Sequence, residues 1–198
     1  MNIIFDFGGV LFRWDPDLVI ASQYSDEKTC RKVSDGLFGH QDWQEYDRGA
    51  ISKEDLIKNV VERLNEPYEK IKALIDYVPE TMQVIEGTAA LLPKLKSQGH
   101  QLYALSNMPT ITMAYLETHN GFFDLFSGMV ISSRVKQIKP STEIYETLLD
   151  TYELIPQETV FIDDTWVNLE AAADFGIIPH HFKNPEICER WLLEKGWL

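Results

Sequence analysis

The chain has 198 residues, 44% of them hydrophobic and 25% charged, with 18 Lys and Arg against 31 Asp and Glu for a formal charge of -13. That size and balance fit one domain, or one domain with an insertion, around a sizeable core, and exclude a disordered, collagenous or low-complexity protein. The negative charge is repelled by nucleic acid and by anionic membrane, so neither is expected as a partner, and an anionic small substrate needs a local cation or metal ion at its site.

The first residues, Met1-Asn2-Ile3-Ile4-Phe5-Asp6, lack the basic region of a signal peptide, and no apolar run approaches the ~20 residues that span a bilayer. Two cysteines, Cys30 and Cys188, make neither a disulfide scaffold nor a metal spacing. A cytoplasmic protein with reduced thiols is expected. Asn2 to Phe7 is nearly continuously apolar and stops at Gly8-Gly9, which predicts a strand buried on both faces of a parallel sheet.

From Asp15 to about Glu86 the pattern is only helical, with starts expected at Asp17, Asp26, Gln41, Ser52 and Pro67. Ser52 and Asp55 form a capping-box variant ahead of Leu56, Val60, Val61 and Leu64. This stretch predicts a satellite helical domain. Beyond it strands and helices alternate. A helix over 88–97 carries Leu91, Leu92 and Leu95, with Pro93 marking a kink or a late start. Strands are predicted at 102–105 running into Ser106-Asn107, at 128–131 running into Ser132-Ser133, and at 159–162 running into Asp163-Asp164. Helices are predicted over 141–152 and 167–175. A weaker strand over 177–182 contains Pro179, which suggests a sheet edge. The tail from Trp191 to Leu198 predicts a terminal helix packed on the core. Strands alternating with helices predict an α/β, doubly wound parallel sheet.

Ligands of open α/β sheets bind beyond the carboxyl ends of the strands. Asp6, Ser106, Asn107, Lys139, Asp163 and Asp164 fall there or at a helix start. Taken singly, each has a plainer role: a turn aspartate, a helix cap, a surface lysine. A carboxylate ending a buried strand is nevertheless costly without a cation, and Gly8 and Gly9 let the backbone offer N–H groups to an anion. The adjacent carboxylates of Asp163 and Asp164 suit Mg²⁺, a hard cation that takes oxygen ligands. Together the six supply what phosphoryl transfer to a carboxylate needs: a nucleophile, hydrogen-bond donors and cations. The histidines, His180-His181 included, show no ligand spacing.

FDFGGV at 5–10, LSN at 105–107, KP at 139–140 and IDD at 162–164 resemble the four motifs of the haloacid dehalogenase (HAD) superfamily, and the likeness extends over the whole chain. The helical insert resembles the C1 cap of its haloacid dehalogenase-like subfamily, and WQEYDRGAIS at 43–52 resembles a segment recurring in such caps. The resemblance implies a Rossmann-like core over residues 1–14 and 86–198 with an inserted helical cap domain over 15–85. It implies Asp6 as the nucleophile, Ser106 and Asn107 holding the transferred group, and Lys139 pairing with that group and with Asp6. Asp163 and Asp164, with Asp6 and the Gly8 carbonyl, would bind Mg²⁺. Arg13, Trp14, Trp43, Tyr46 and Arg48 are candidates to reach the site from the cap side; packing inside the cap serves Trp43 and Tyr46 equally well, and a solvated surface serves Arg48.

One departure stands out. Phosphatases of the superfamily usually carry a second Asp two residues after the nucleophile as general acid and base, and here that residue is Gly8. An acidic leaving group needs less protonation. The bacterial branch of α-glucose-1-phosphate phosphatases, which this chain resembles, has a similar D-x-G motif. The expected activity is therefore a Mg²⁺-dependent phosphatase acting on a small phosphorylated metabolite, with an anomeric sugar phosphate favoured, in a monomer or homodimer. Two other readings stay open: a haloacid dehalogenase, since halide leaves without a proton, and a binding or regulatory protein that keeps the fold without turnover.

Overall fold

The computed structural model describes residues 1–198. Five short apolar segments become strands: β1 (Asn2–Phe5), β2 (Gln101–Ser106), β3 (Gly128–Ile131), β4 (Thr159–Asp163) and β5 (Ile178–His181). Every pairing is parallel, in the order β3-β2-β1-β4-β5. β1 lies in the middle, and the side-chain period of two sends Ile3 and Phe5 into the apolar layer on one face and Ile4 into the layer on the other. Both faces are covered, which is why the segment reads as an unbroken apolar run rather than as alternation. Pro179 lies in the edge strand β5, where a missing N–H removes no ladder bond on the open side. The chain lays β2 and β3 on one side of β1 and then returns to lay β4 and β5 on the other. The reversal falls between β1 and β4, the place where such sheets bind ligands.

The insertion that follows β1 holds five helices, α1 (Pro16–Ala21), α2 (Glu27–Val33), α3 (Gln41–Arg48), α4 (Lys53–Leu64) and α5 (Tyr68–Thr81), with a π-helical turn at Ser34–Phe38. Their local logic is largely capping. Asp26 caps α2, and Ser52 with Asp55 forms the expected reciprocal capping box on α4. α1 is capped by Asp15, two residues before the expected start at Asp17, because Pro16 takes the first helical position. These helices bury Leu37, Leu56, Ile57, Val60, Ile71 and Leu74 in an apolar cluster of their own. The insertion leaves and rejoins the sheet side by side: the Arg13 N–H donates to Gln83 O at 2.8 Å, and the Ile85 N–H donates to Leu11 O at 2.8 Å.

The remaining helices are α6 (Glu86–Ala89), α7 (Leu91–Ser97), α8 (Thr110–His119), α9 (Ser132–Val135), α10 (Thr142–Thr151), α11 (Trp166–Asp174) and α12 (Pro185–Glu194). The single helix expected over 88–97 is two, and Pro93 lies in the first turn of α7, where its missing N–H has no intrahelical partner to lose. α12 buries Cys188 and Leu192 while Trp191, Trp197 and Leu198 pack on the core, as the tail pattern predicts. No helix is long and apolar enough to cross a membrane.

His180 of β5 is buried and stacked on Trp191, with ring centroids 4.1 Å apart and no partner for its Nε2. Burial, and then the neighbouring His181, push its imidazole down from 6.5 to about 4. The folded value lies below the unfolded one, so acid favours unfolding: the contribution is complete above about pH 6.5 and is lost as pH falls toward 4. Between pH 7.5 and pH 5, urea unfolding should show the wild type losing stability relative to His180→Phe by on the order of 2 kcal/mol, whatever the carboxyl groups common to both contribute. An equal loss in both proteins would contradict this reading.

Candidate active site

Asp6 follows the last residue of β1, and its N–H donates to Ile162 O of β4 at 3.0 Å. Because Phe5 pairs with Ile162, the next residue on each strand brings Asp6 and Asp163 together at the reversal point. Lys139 joins them. Its Nζ lies 2.9 Å from Asp6 Oδ2 and 2.7 Å from Asp163 Oδ2, and it sits over the Phe161 ring. All three side chains are buried. Burial alone lowers a lysine, but Asp163 and Asp6 outweigh it and leave Lys139 raised. For Asp6 burial is the largest effect and raises the carboxyl well above the usual range, although Lys139 opposes it. A carboxylate in that state lacks positive charge in its surroundings.

Asn107 holds the lysine in place. Its Oδ1 accepts the Lys139 N–H at 2.9 Å and its Nδ2 donates to Lys139 O at 3.0 Å. Its side-chain amide is thus engaged with the backbone of Lys139, while Asn107 itself lines the cavity. Ser106 differs. Its hydroxyl lies beside Asp6, almost fully buried and without a hydrogen-bond partner. Asp163 is heavily partnered. Its Oδ1 accepts from the Thr165 N–H at 2.7 Å, and Asn168 Nδ2 reaches both of its oxygens, at 3.2 and 3.1 Å. Asp164, by contrast, lines the open cavity. Burial and then the adjacent Asp163 raise its carboxyl. One carboxylate oxygen each of Asp6, Asp163 and Asp164 lie within 4.8 Å of one another. An all-oxygen set of this kind, short of positive charge, fits a hard divalent cation.

Gly9 has φ +73°, and a Cβ built on it would overlap the Asp164 carboxylate. Its N–H donates to Phe12 O at 2.8 Å, so the expectation of an anion-binding amide there gives way to a steric role. Gly8 lines the cavity and has room: a Cβ would meet only Trp14 Cβ, at 3.9 Å. A Cβ there makes only ordinary van der Waals contact.

The cavity has a volume of about 450 Å³ and lies between the strand ends and the insertion. Of the five cap-side candidates, Trp14 and Trp43 line it, stacked at 5.7 Å, whereas Arg13, Tyr46 and Arg48 do not. Arg13 is exposed, Tyr46 packs on Trp43 inside the helical cluster, and Arg48 lies 3.6 Å from Glu45 one turn earlier on α3. Phe38, Val78, Met82 and Met108 complete an apolar wall.

The chain matches the haloacid dehalogenase-like hydrolase family over residues 1–176. It belongs to that family. Among similar HAD-like proteins, sesquiterpene phosphatase astK of Aspergillus oryzae is 29% identical over 90% of this chain and 87% of its own. D-ribitol-5-phosphate phosphatase of Bacteroides thetaiotaomicron is 22% identical over 88% of each. A HAD-family enzyme of the same bacterium, crystallised with magnesium and inorganic phosphate, superposes with a TM-score of 0.71 at 23% identity, covering 92% of this chain and 94% of that one.

Two residues at this site escaped the sequence reading. Asn168, five positions after Asp163 and in the first turn of α11, braces the carboxylate that holds Lys139; its spacing from the acidic pair was the available signal. Asp47, in the last turn of α3, lines the cavity from the insertion. Gly9→Ala should force Asp164 aside and place alanine in the left-handed region, with a stability loss on the order of 1–3 kcal/mol in thermal or urea unfolding. Gly8→Ala should stay within about 1 kcal/mol of the parent. Equal effects at the two glycines would contradict the packing described.

Proposed function

We propose that the protein is a Mg²⁺-dependent phosphatase that hydrolyses a small phosphorylated metabolite through an aspartyl phosphate on Asp6. The observation that carries this reading is the buried Asp6–Lys139–Asp163 array with the unpartnered Ser106 hydroxyl beside it. Lys139 offers a fixed positive charge, and Ser106 has a free O–H for an oxygen of the transferred group. Asp6, Asp164 and the Gly8 carbonyl, with Asp163 behind them, would hold Mg²⁺, which would neutralise the charge of the phosphoryl oxygens. The electrostatics favour this. Asp6, Asp47 and Asp164 face a single ammonium, Lys139, across the cavity, so an ester dianion is repelled unless a divalent cation enters with it. Displacement of a halide needs no such cation, and the carboxylates therefore weigh against dehalogenation.

In this scheme the Phe7 N–H, 2.7 Å from Asp6 Oδ1, orients the nucleophile. Asp163, Asn107 and Asn168 fix the lysine. The insertion, read as a cap over residues 15–85, closes the cavity and excludes water from the aspartyl phosphate. For the leaving group, Gly8 supports the anomeric sugar phosphate, whose alkoxide needs the least protonation. A second reading rests on the cavity itself. Its wall of Trp14, Phe38, Trp43, Val78, Met82 and Met108 offers a sugar few hydroxyl partners and suits an apolar leaving group, in keeping with the relative named for sesquiterpenes.

Phosphate release should be measured from anomeric sugar phosphates and from prenyl monophosphates, with Mg²⁺ and with EDTA. Release should require the metal and fall to background in Asp6→Asn. A higher kcat/KM for the prenyl esters selects the apolar reading, and a higher value for the sugar esters selects the anomeric one. Metal-independent halide release from 2-haloacids, with no phosphate release, would contradict the proposal.

A further inference from the structure

Gly8 leaves the proton of the leaving group without a donor on the strand side, and the cavity has one other acid placed to supply it. We propose that Asp47, carried by the insertion, is the general acid and base of the reaction. The inference rests on the phosphatase reading above.

Three observations converge on this residue. The first is position. Asp47 lines the same cavity as Asp6, Lys139 and Asp164, but on the wall that the insertion contributes through α3. It is not one of the three carboxylates close enough together to share a cation, so it is free of the metal set. A leaving group directed away from Asp6 and the strand ends points toward that wall.

The second is anchoring. The C-terminal end of α3 is tied to the core rather than left to move with the insertion. Ser132 Oγ donates to Asp47 O at 2.5 Å and accepts the Met108 N–H at 2.8 Å, so one hydroxyl links Asp47 to the loop after β2. Lys136 Nζ donates to Gly49 O at 2.7 Å, and a Cβ on Gly49 would run into Ser133 and Lys136, so only glycine lets α3 approach this closely. A general acid must be held close to its productive geometry, and this double tether fixes the backbone that carries the Asp47 side chain.

The third is charge state. Asp47 forms no ion pair, unlike Asp42 one turn earlier on α3, which pairs with Arg63. It lies in the last turn of α3, where the helix dipole disfavours negative charge. Burial, and then the charge of Asp6, raise its carboxyl to about 8, offset only in part by the Trp43 indole. Burial without a counter-ion favours the protonated form, the form a donor needs.

The two half-reactions balance. As an Asp6 carboxylate oxygen bonds to phosphorus, the bond from phosphorus to the leaving oxygen breaks, and the Asp47 carboxyl gives its proton to that oxygen. An alcohol, an aspartyl phosphate and the Asp47 carboxylate result. Water then attacks the phosphorus, the bond to Asp6 breaks, and Asp47 takes the proton of the water. Inorganic phosphate leaves and both carboxyl groups return to their starting states. With this donor in place the enzyme is not confined to acidic leaving groups, and esters of ordinary alcohols come within reach.

The test compares leaving groups in the full chain with Mg²⁺. kcat/KM is measured for p-nitrophenyl phosphate, whose anion leaves without help, and for a primary alkyl phosphate, whose alkoxide does not. Asp47→Asn should lose about 10²–10⁴-fold on the alkyl ester and stay within several-fold of wild type on the nitrophenyl ester. Asp47→Glu should recover part of the loss. An equal fall on both esters would assign Asp47 a structural role, and no fall on either would remove it from the reaction; each overturns the proposal. If the wild-type protein releases phosphate from neither ester, the phosphatase reading itself fails and carries this inference with it, a result seen before any variant is made.

Discussion

A single ammonium shared by two carboxylates, all three withdrawn from water, sets the terms for the rest of this molecule. Removing one partner from such a buried array typically costs 3–5 kcal/mol, because the charge left behind has neither water nor a counter-ion. The sheet meets that constraint with geometry. The parallel register of β1 and β4 brings Asp6 and Asp163 level at their carboxyl ends, and the reversal of strand order opens space between them. Lys139 comes from neither strand. It arrives on the segment between α9 and α10, and Asn107 at the end of β2 grips its backbone on both sides. Asn168 from α11 completes the ring by bracing Asp163. Four separate segments thus converge on one charge.

The array also divides labour between the two acids at the end of β4. Asp163 braces the lysine, with Lys139, Thr165 and Asn168 all reaching its oxygens. Asp164 faces the cavity, and Gly9 stays small to let it do so. The insertion completes the cavity with a different chemistry, an aromatic and thioether wall over a polar floor. An acidic protein accommodates an anion this way because the local field, not the net charge, meets the ligand.

Much of this was legible in the residues. The central strands announce themselves because they are buried on both faces, and the polar residues that end them stand out against apolar runs. The capping box at Ser52 and Asp55 was legible because capping is local. What was not legible depends on contacts across the fold. Nothing in the spacing of Asn107 announces a clamp on Lys139 thirty-two positions later. Gly9 reads as a turn glycine until the approach of Asp164 is known. Asp47 hides among the charged residues of an amphipathic helix, and only the docking of α3 on the segment at Ser132 aims it into the cavity. Arg13, Tyr46 and Arg48 have the right chemistry for a substrate contact, yet exposure, the helical cluster and Glu45 claim them first.

The account stands on Asp6 as the atom to which the phosphoryl group passes. The most direct check is to quench a single turnover in acid, with Mg²⁺ present, and to weigh the peptide that contains Asp6. It should carry the added mass of one phosphoryl group at short times, lose it as phosphate is released, and never acquire it in Asp6→Asn. Phosphate release at full rate with no labelled Asp6 peptide at any time, and with Asp6→Asn still active, would contradict the account.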